Sequence, residues 1–322
     1  MVRWNLRGVK IGRRLPRQGG QICTPEHSSK RAAAKFQMSN YDFDVVVLAA
    51  RHEFEYKPIK KAIFSGETHG SFPLWSGEVT IGDMEGPSGR KLKGALICVG
   101  EMGMATTASV AASAITVFRP KLISMIGMCC GFSDEKCASP RKLMDVIVVR
   151  EVSCWEEGKY IEPGEESGSE FRNRSKTRLV NDAIRDAVDL VIETADVSLT
   201  PRLQKLAKKT GFRKVLASLE KGTAREVPDV KFSAFVSGSS VIADEGMVKE
   251  ILDRHPSAIG LDMEIYGLYA AVDRCVGAKP SVLGVKAVAD FGSKKKDNRA
   301  QETASVVATE VFKGILERIP IF

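Results

Sequence analysis

Histidine, and cysteine at metal-binding spacing, are what this sequence has least of. Its 322 residues hold four histidines, and its seven cysteines (Cys23, Cys98, Cys129, Cys130, Cys137, Cys154, Cys275) are scattered along the chain. A structural metal centre needs paired ligands at short spacing, so no metal and no other cofactor is expected. No apolar run reaches the roughly 18 residues of a membrane-spanning helix. A secretory apolar region is missing too, and the cysteine count is odd, which argues for a reducing compartment. A cytoplasmic protein is therefore expected. Cys98, Cys129, Cys130 and Cys275 lie in apolar patterns, where cysteine acts as a small hydrophobe. Residues 41–322 contain no internal repeat and no low-complexity linker.

Charge is present but unevenly placed. Residues 1–40 carry nine basic side chains and one acid, Glu26, which is the whole of the net charge of +8. Acids and bases balance over residues 41–322. A basic arm can touch nucleic acid or an anionic membrane, and an Arg-rich, acid-poor leader resembles a transit peptide, which would make the location organellar. The arm has no periodic apolar face, and Met38 directly precedes the first folded-looking segment. The expectation is a disordered extension over 1–40, dispensable for folding and catalysis, followed by one domain over 41–322. Nucleic-acid binding by the whole chain is not supported, because the balanced part carries no basic surplus.

The remainder reads as alternating strands and helices. Apolar runs predict strands at Asp44–Ala50, Leu74–Asp83, Gly94–Val99, Lys121–Gly127, Asp145–Arg150, Lys231–Ser237 and Ser281–Ala289. Helices are predicted at Pro58–Phe64, Ala105–Thr116, Ser175–Thr194, Pro201–Lys209 and Met247–Arg254, with a polar loop from Ser153 to Glu170. Strands this continuously apolar have no wet face. The fold class expected is α/β, a three-layer α/β/α arrangement around a mixed, twisted sheet. Gly100-Glu101-Met102-Gly103 joins a strand to a helix and could cradle an anion or ribose. It lacks the third glycine and the downstream acid of a dinucleotide fingerprint.

The chemistry concentrates between Gly260 and Phe291. Asp262-Met263-Glu264 opens a helix carrying Ile265, Leu268, Tyr269 and Val272 at helical spacing, and Asp290 ends the strand that follows. A carboxylate at a helix start and another at a strand end can face one crevice, where paired carboxylates suit acid/base work. A capped helix beside a strand-end turn would account for the same residues.

This stretch resembles the C-terminal signature of the purine nucleoside phosphorylase and nucleosidase superfamily, in particular the 5'-methylthioadenosine/S-adenosylhomocysteine nucleosidases. There a Met-Glu pair heads a helix, and an aspartate ends a strand of pattern Arg-Ala-Ile-Ser-Asp. The matching run here is Lys286-Ala287-Val288-Ala289-Asp290, with alanine in place of the serine. Four further segments resemble the family in order. Laying Ala49 on the family's Gly-Ala-Met turn puts Glu53 on its catalytic glutamate, or Glu55 if the loop is one or two residues longer. Gly100–Gly103 falls on the ribose-lining segment. Met128-Cys129-Cys130-Gly131 falls on a small-residue loop, Met128 replacing a serine. Gly238–Ile242 falls on the purine-holding loop, Val241 replacing a phenylalanine and Ser239 an aspartate. Met144 stands where the family has a glycine before the strand Asp145–Arg150.

The resemblance implies hydrolysis of the N-glycosidic bond of a purine nucleoside or derivative. Asp290 would protonate the departing base, a role that calls for burial or a neighbouring carboxylate, and Glu53 would activate water. Glu264 would hold the ribose hydroxyls, Met263 would pack on the sugar, and Val241, Ile242, Gly103, Met102 and Met128 would line the substrate. A homodimer or higher homo-oligomer acting on a small nucleoside, away from membranes, is implied as well. Two alternatives stay open. A phosphorylase needs a cationic cradle, for which only Arg51 is placed to help. A nucleoside- or nucleotide-sensing module of a signalling system needs no matched acid and base.

Overall fold

The computed structural model describes residues 42–74, 77–134, 137, 139–161, 170–194, 199–292 and 298–320, all within the unit Ser39–Phe322. The expectations about residues 1–40 lie outside the described residues. The first half comprises strands β1 (Phe43–Ala49), β2 (Phe64–Leu74), β3 (Gly77–Glu85), β4 (Lys91–Cys98), β5 (Pro120–Gly131), β6 (Val146–Cys154), β7 (Gly158–Ile161), β8 (Glu170–Asn173) and β9 (Arg178–Leu179), with helices α1 (Lys57–Ile63) and α2 (Met104–Phe118). The second half comprises α3 (Asp182–Glu193), α4 (Leu199–Ala207), α5 (Thr210–Ser218), β10 (Val230–Ser237), α6 (Glu245–Arg254), β11 (Ala258–Asp262), α7 (Ile265–Arg274), β12 (Ser281–Asp290) and α8 (Asn298–Leu316).

One large mixed sheet runs in the order β11-β10-β6-β12-β5-β1-β4-β3-β2, with β9 on β6. Its middle is parallel, β12, β1 and β5 running together, whereas β6 lies antiparallel to β12. Val, Ile and Leu fill these strands, and every residue of β12 except Asp290 is buried. β11 also pairs with β5, Gly260 opposite Gly131 and Leu261 opposite Cys130. Five strands (β5, β12, β6, β10, β11) thereby close on themselves, which the sequence reading of a simply twisted sheet did not include. The closure depends on Gly260, where a Cβ would stand 2.8 Å from the Cys130 carbonyl oxygen. Among the helices, α2 packs on α7, and α8 packs on β12, β5, α1 and α4.

Several element boundaries differ from the sequence expectation. The segment Leu74–Asp83 divides, Leu74 ending β2 and Gly77 opening β3. The helix expected from Ser175 starts at Asp182, because the Asn181 side chain accepts the Ile184 N–H and caps it there. Part of the expected loop 153–170 is ordered pairing: β6 runs on to Cys154, and β7 pairs with β8 from Gly158–Asn173 to Ile161–Glu170. Among the described residues no helix is long and apolar enough to cross a membrane.

At the start of β6 lies a buried charge cluster. Asp145 is fully buried and accepts the backbone N–H groups of Lys142 at 2.8 Å and Asp229 at 3.0 Å. Arg225 reaches it at 3.2 Å and Arg141 at 3.8 Å, and Arg141 also meets Asp229 at 3.0 Å. Met144, beside it, has a left-handed backbone (φ 72°), the conformation that favours the glycine seen in the resembling family.

Candidate active site

The site forms where β1, β5, β11 and β12 end. After Ala49 the chain enters a π-helical turn, His52–Tyr56, whose signature is the Tyr56 N–H donating to the Arg51 carbonyl at 2.9 Å. Such a turn holds one residue more than an α-turn and re-aims the side chains it carries. Glu53 consequently faces solvent, where Lys57 Nζ binds its carboxylate at 2.7 and 2.9 Å. Hydrogen bonds from Lys57 and His52 hold its carboxyl below the usual range. Glu55 instead turns inward and is 1% exposed. Its Oε1 accepts the Met128 N–H at 2.9 Å, and its Oε2 accepts the Arg51 N–H at 2.8 Å. Gly127 makes room for it, since a Cβ there would stand 1.9 Å from Glu55 Oε1.

Lys286, on β12, is the cation of the site and is wholly buried. Its Nζ lies 3.1 Å from Asp262 Oδ2, 3.4 Å from Glu264 Oε2 and 3.9 Å from Glu55 Oε1. Burial works against its charge, but attraction by Asp262, Glu55 and Glu264 outweighs burial and holds the ammonium above the ordinary lysine range. Asp262 also caps α7, its Oδ1 accepting from Glu264 N at 3.1 Å, Ile265 N at 3.2 Å and Ser237 Oγ at 2.7 Å. Three acids around one lysine leave negative charge in excess. Burial, opposed by Lys286 and reinforced by Asp262 and Glu55, pushes the Glu264 carboxyl up to about 8.

Asp290 reaches the same place by a bulge. The β12–β5 register shifts between Val288, opposite Cys129, and Asp290, opposite Cys130. The extra residue, Ala289, turns the aspartate out of the strand plane, and its Oδ1 accepts the Gly292 N–H at 2.9 Å. Around these groups is a cavity of about 200 Å³ lined by Glu55, Asp262, Glu264 and Asp290, with Arg51 and Gln301 also on its wall. Met102, Met128, Val241, Ile242 and Met263 line it as well. The Gly238–Ile242 loop is held from outside by Glu156, whose carboxylate accepts the Ser239 and Ser240 N–H groups at 2.6 and 3.2 Å. Among the described residues no cluster of His, Cys, Asp and Glu is arranged to hold a metal ion.

No family model matches the chain. Uncharacterized protein y4jS of Sinorhizobium fredii is 26% identical over 224 residues, 69% of this chain and 49% of that protein. ATP nucleosidase Cap17 of Escherichia coli is 25% identical over 218 residues, 66% of this chain and 40% of that protein. The chain thus spans about half the length, or less, of these relatives. The structure superposes on the 5'-methylthioadenosine/S-adenosylhomocysteine nucleosidase of Neisseria meningitidis, solved with methylthio-immucillin-A. The TM-score is 0.57 at 15% identity, over 85% of this chain and 98% of the other. The fold is that of the nucleosidases.

Within this nucleosidase-like fold the sequence-predicted residues separate into two groups. Asp290, Glu264, Met263, Met102, Met128, Val241 and Ile242 come together on the cavity wall. Glu53 does not, and Gly103, at the N-terminus of α2 with φ 120°, is not on the wall either. Of the two glutamates the sequence offers for this place, the π-turn brings Glu55 to the cavity wall and leaves Glu53 off it. Lys286 was given no role from sequence, although a lysine inside an apolar strand run signals a charge that must find buried partners.

Proposed function

We propose that this protein hydrolyses the N-glycosidic bond of a purine nucleoside or nucleoside derivative. The observation that carries the reading is the convergence of Glu55, Glu264 and Asp290 on one cavity in a nucleosidase fold. Both named relatives whose activity is stated are nucleosidases, one of ATP and one of 5'-methylthioadenosine and S-adenosylhomocysteine.

Cleavage passes through an oxocarbenium-like sugar and divides into three tasks. Asp290 gives a proton to the base nitrogen as the bond to C1' breaks. Glu55, fixed by two backbone N–H groups, takes a proton from water as it adds to C1'. Each such proton transfer typically contributes 10²–10⁴-fold. Glu264 binds the ribose hydroxyls, and a carboxyl that keeps its proton near neutrality offers them both a donor and an acceptor. Lys286 fixes the spacing of Glu55 and Glu264 by standing between them, and Met263 packs on the sugar. Water is favoured over phosphate as nucleophile, since a carboxylate at that position repels a dianion.

The same reading takes the helices as layers on two faces of the sheet, supported by the burial of β12 up to Ala289 and by α2–α7 and α8–α1 packing. It takes residues 41–322 as the catalytic domain, a homo-oligomer in a reducing, cytoplasmic setting. The test is chromatography of a purine nucleoside and nucleotide panel after incubation with and without phosphate. Free base and free sugar without phosphate are expected. Base released only with phosphate, alongside ribose 1-phosphate, would establish a phosphorylase instead, and binding with no base released would establish a sensor.

A further inference from the structure

Arg51 is a charged group on the cavity wall that the proposed hydrolysis leaves without a task. Its guanidinium is fixed in place: Nη1 donates to Gln301 Oε1 at 3.1 Å, and Cζ lies over the Phe54 ring, 4.4 Å from its centroid. Among the described residues no carboxylate lies within ion-pair distance of it. Lys286 is wholly buried and bracketed by three acids, whose charge turns a ligand anion away from it. An immobilised guanidinium whose remaining N–H groups meet no acceptor among the described residues suits a phosphate, which it can grip with two parallel hydrogen bonds. Gln301 sits in the first turn of α8, whose positive end adds to the attraction for an anion.

Position assigns which phosphate. Along the sheet, β12 carries Asp290, β5 is next, and β1, which leads into Arg51, is next again. Two strand spacings are on the order of 10 Å, a span that a purine nucleotide with an arginine's reach covers from base to 5' end. Glu55 accepts the Arg51 N–H at 2.8 Å and stands 3.9 Å from Lys286 Nζ, and its charge repels a free phosphate there. We propose that Arg51, held by Gln301 and Phe54, recognises a phosphate on the 5' carbon, so that the substrate is a nucleoside 5'-phosphate. This rests on the nucleosidase reading and adds the substrate class to it.

The test compares adenosine and guanosine with their 5'-mono- and triphosphates, measuring kcat/KM for the wild type, Arg51→Gln and Gln301→Ala, with and without inorganic phosphate. Calorimetric binding of each ligand to the same proteins runs in parallel. A wild-type preference for the phosphorylated compounds is expected. The nucleotide-to-nucleoside ratio should fall roughly 10- to 100-fold in Arg51→Gln, the range set by losing charge-assisted hydrogen bonds, and less in Gln301→Ala. A ratio unchanged by Arg51→Gln, or a wild-type preference for the unphosphorylated compounds, overturns the proposal while leaving nucleosidase activity standing. Turnover that needs inorganic phosphate, with a KM for phosphate that rises in Arg51→Gln, also overturns it by assigning Arg51 to the attacking phosphate. If no compound releases base, the nucleosidase reading fails, and the binding ratio alone decides whether Arg51 reads a 5'-phosphate.

Discussion

Two clusters of buried charge flank β12, and they are built to different rules. Around Asp145, on the β6 side, one buried carboxylate meets Arg225 and Arg141 and two backbone N–H groups. Its lone pairs are used within the protein, and with Asp229 on Arg141 the two arginines balance two aspartates. Around Lys286, one ammonium meets three carboxylates that also line a cavity. The first cluster is saturated and joins the start of β6 to the loops on either side. The second is in surplus, and the surplus faces space that a ligand can enter. A buried charge with all its partners inside the fold reports on stability, whereas a surplus of one sign beside a cavity reports on chemistry.

Breaking the cavity cluster should give the largest effect. Asp290→Asn keeps the size of the side chain but removes its transferable proton, so kcat should fall about 10²-fold or more with KM little changed. Glu55→Gln should match it, and Glu264→Gln should raise KM as well. Steady-state kinetics on protein of confirmed melting behaviour checks all three, and an unchanged kcat in Asp290→Asn would remove its assignment as the acid.

Breaking the saturated cluster should do the reverse. Asp145→Ala leaves Arg225 and two backbone donors short of an acceptor, while Arg141 keeps Asp229 and Ser139, a loss on the order of 3–5 kcal/mol in denaturant titrations. Turnover per folded molecule should stay at the wild-type value. If activity falls without loss of stability, the division between the clusters is wrong.

A pH series sharpens the comparison. The Glu264 carboxyl lies at about 8 in the folded protein against 4.5 for the ordinary group. Between those values the folded state binds the extra proton, so this group's contribution to stability is complete below about 4.5 and is lost as pH rises towards 8. The melting temperature should fall over that window, and Glu264→Gln should flatten the slope. A slope unaltered by the substitution would assign it to other groups. The smallest effect belongs to Glu53→Gln, where kcat and KM should stay within about twofold, because the exposed Lys57 pair contributes little. A loss comparable with Glu55→Gln would return the catalytic role to Glu53.

Much of this arrangement is legible in the amino-acid order. Runs such as Asp44–Ala50 and Ser281–Ala289 are apolar because both faces of those strands are covered, and they sit where expected. Asp290 and Glu264 are legible because a strand end and a helix start are recognisable from neighbouring Gly and Pro. What is not legible depends on register or on distant pairing. Glu53 and Glu55 are two positions apart in similar surroundings, and only the π-turn decides which enters the cavity. Closure of β11 on β5 joins residues about 130 positions apart, and no local pattern encodes it. Met144 hides its left-handed backbone because a buried methionine reads as an ordinary core residue.

The place of β12 in the sheet has a consequence for how the protein is made. It lies between β5 and β6, yet among the described residues it is the last strand in chain order. Until Ser281–Asp290 leaves the ribosome, β5 and β6 have no central partner, and their valine- and isoleucine-rich edges are exposed to other chains. The lysine that gathers the three acids and the aspartate that faces the cavity arrive together on this strand. A nascent or truncated chain ending before residue 281 therefore leaves open the edges of β5 and β6 that β12 covers, and it lacks both Lys286 and Asp290.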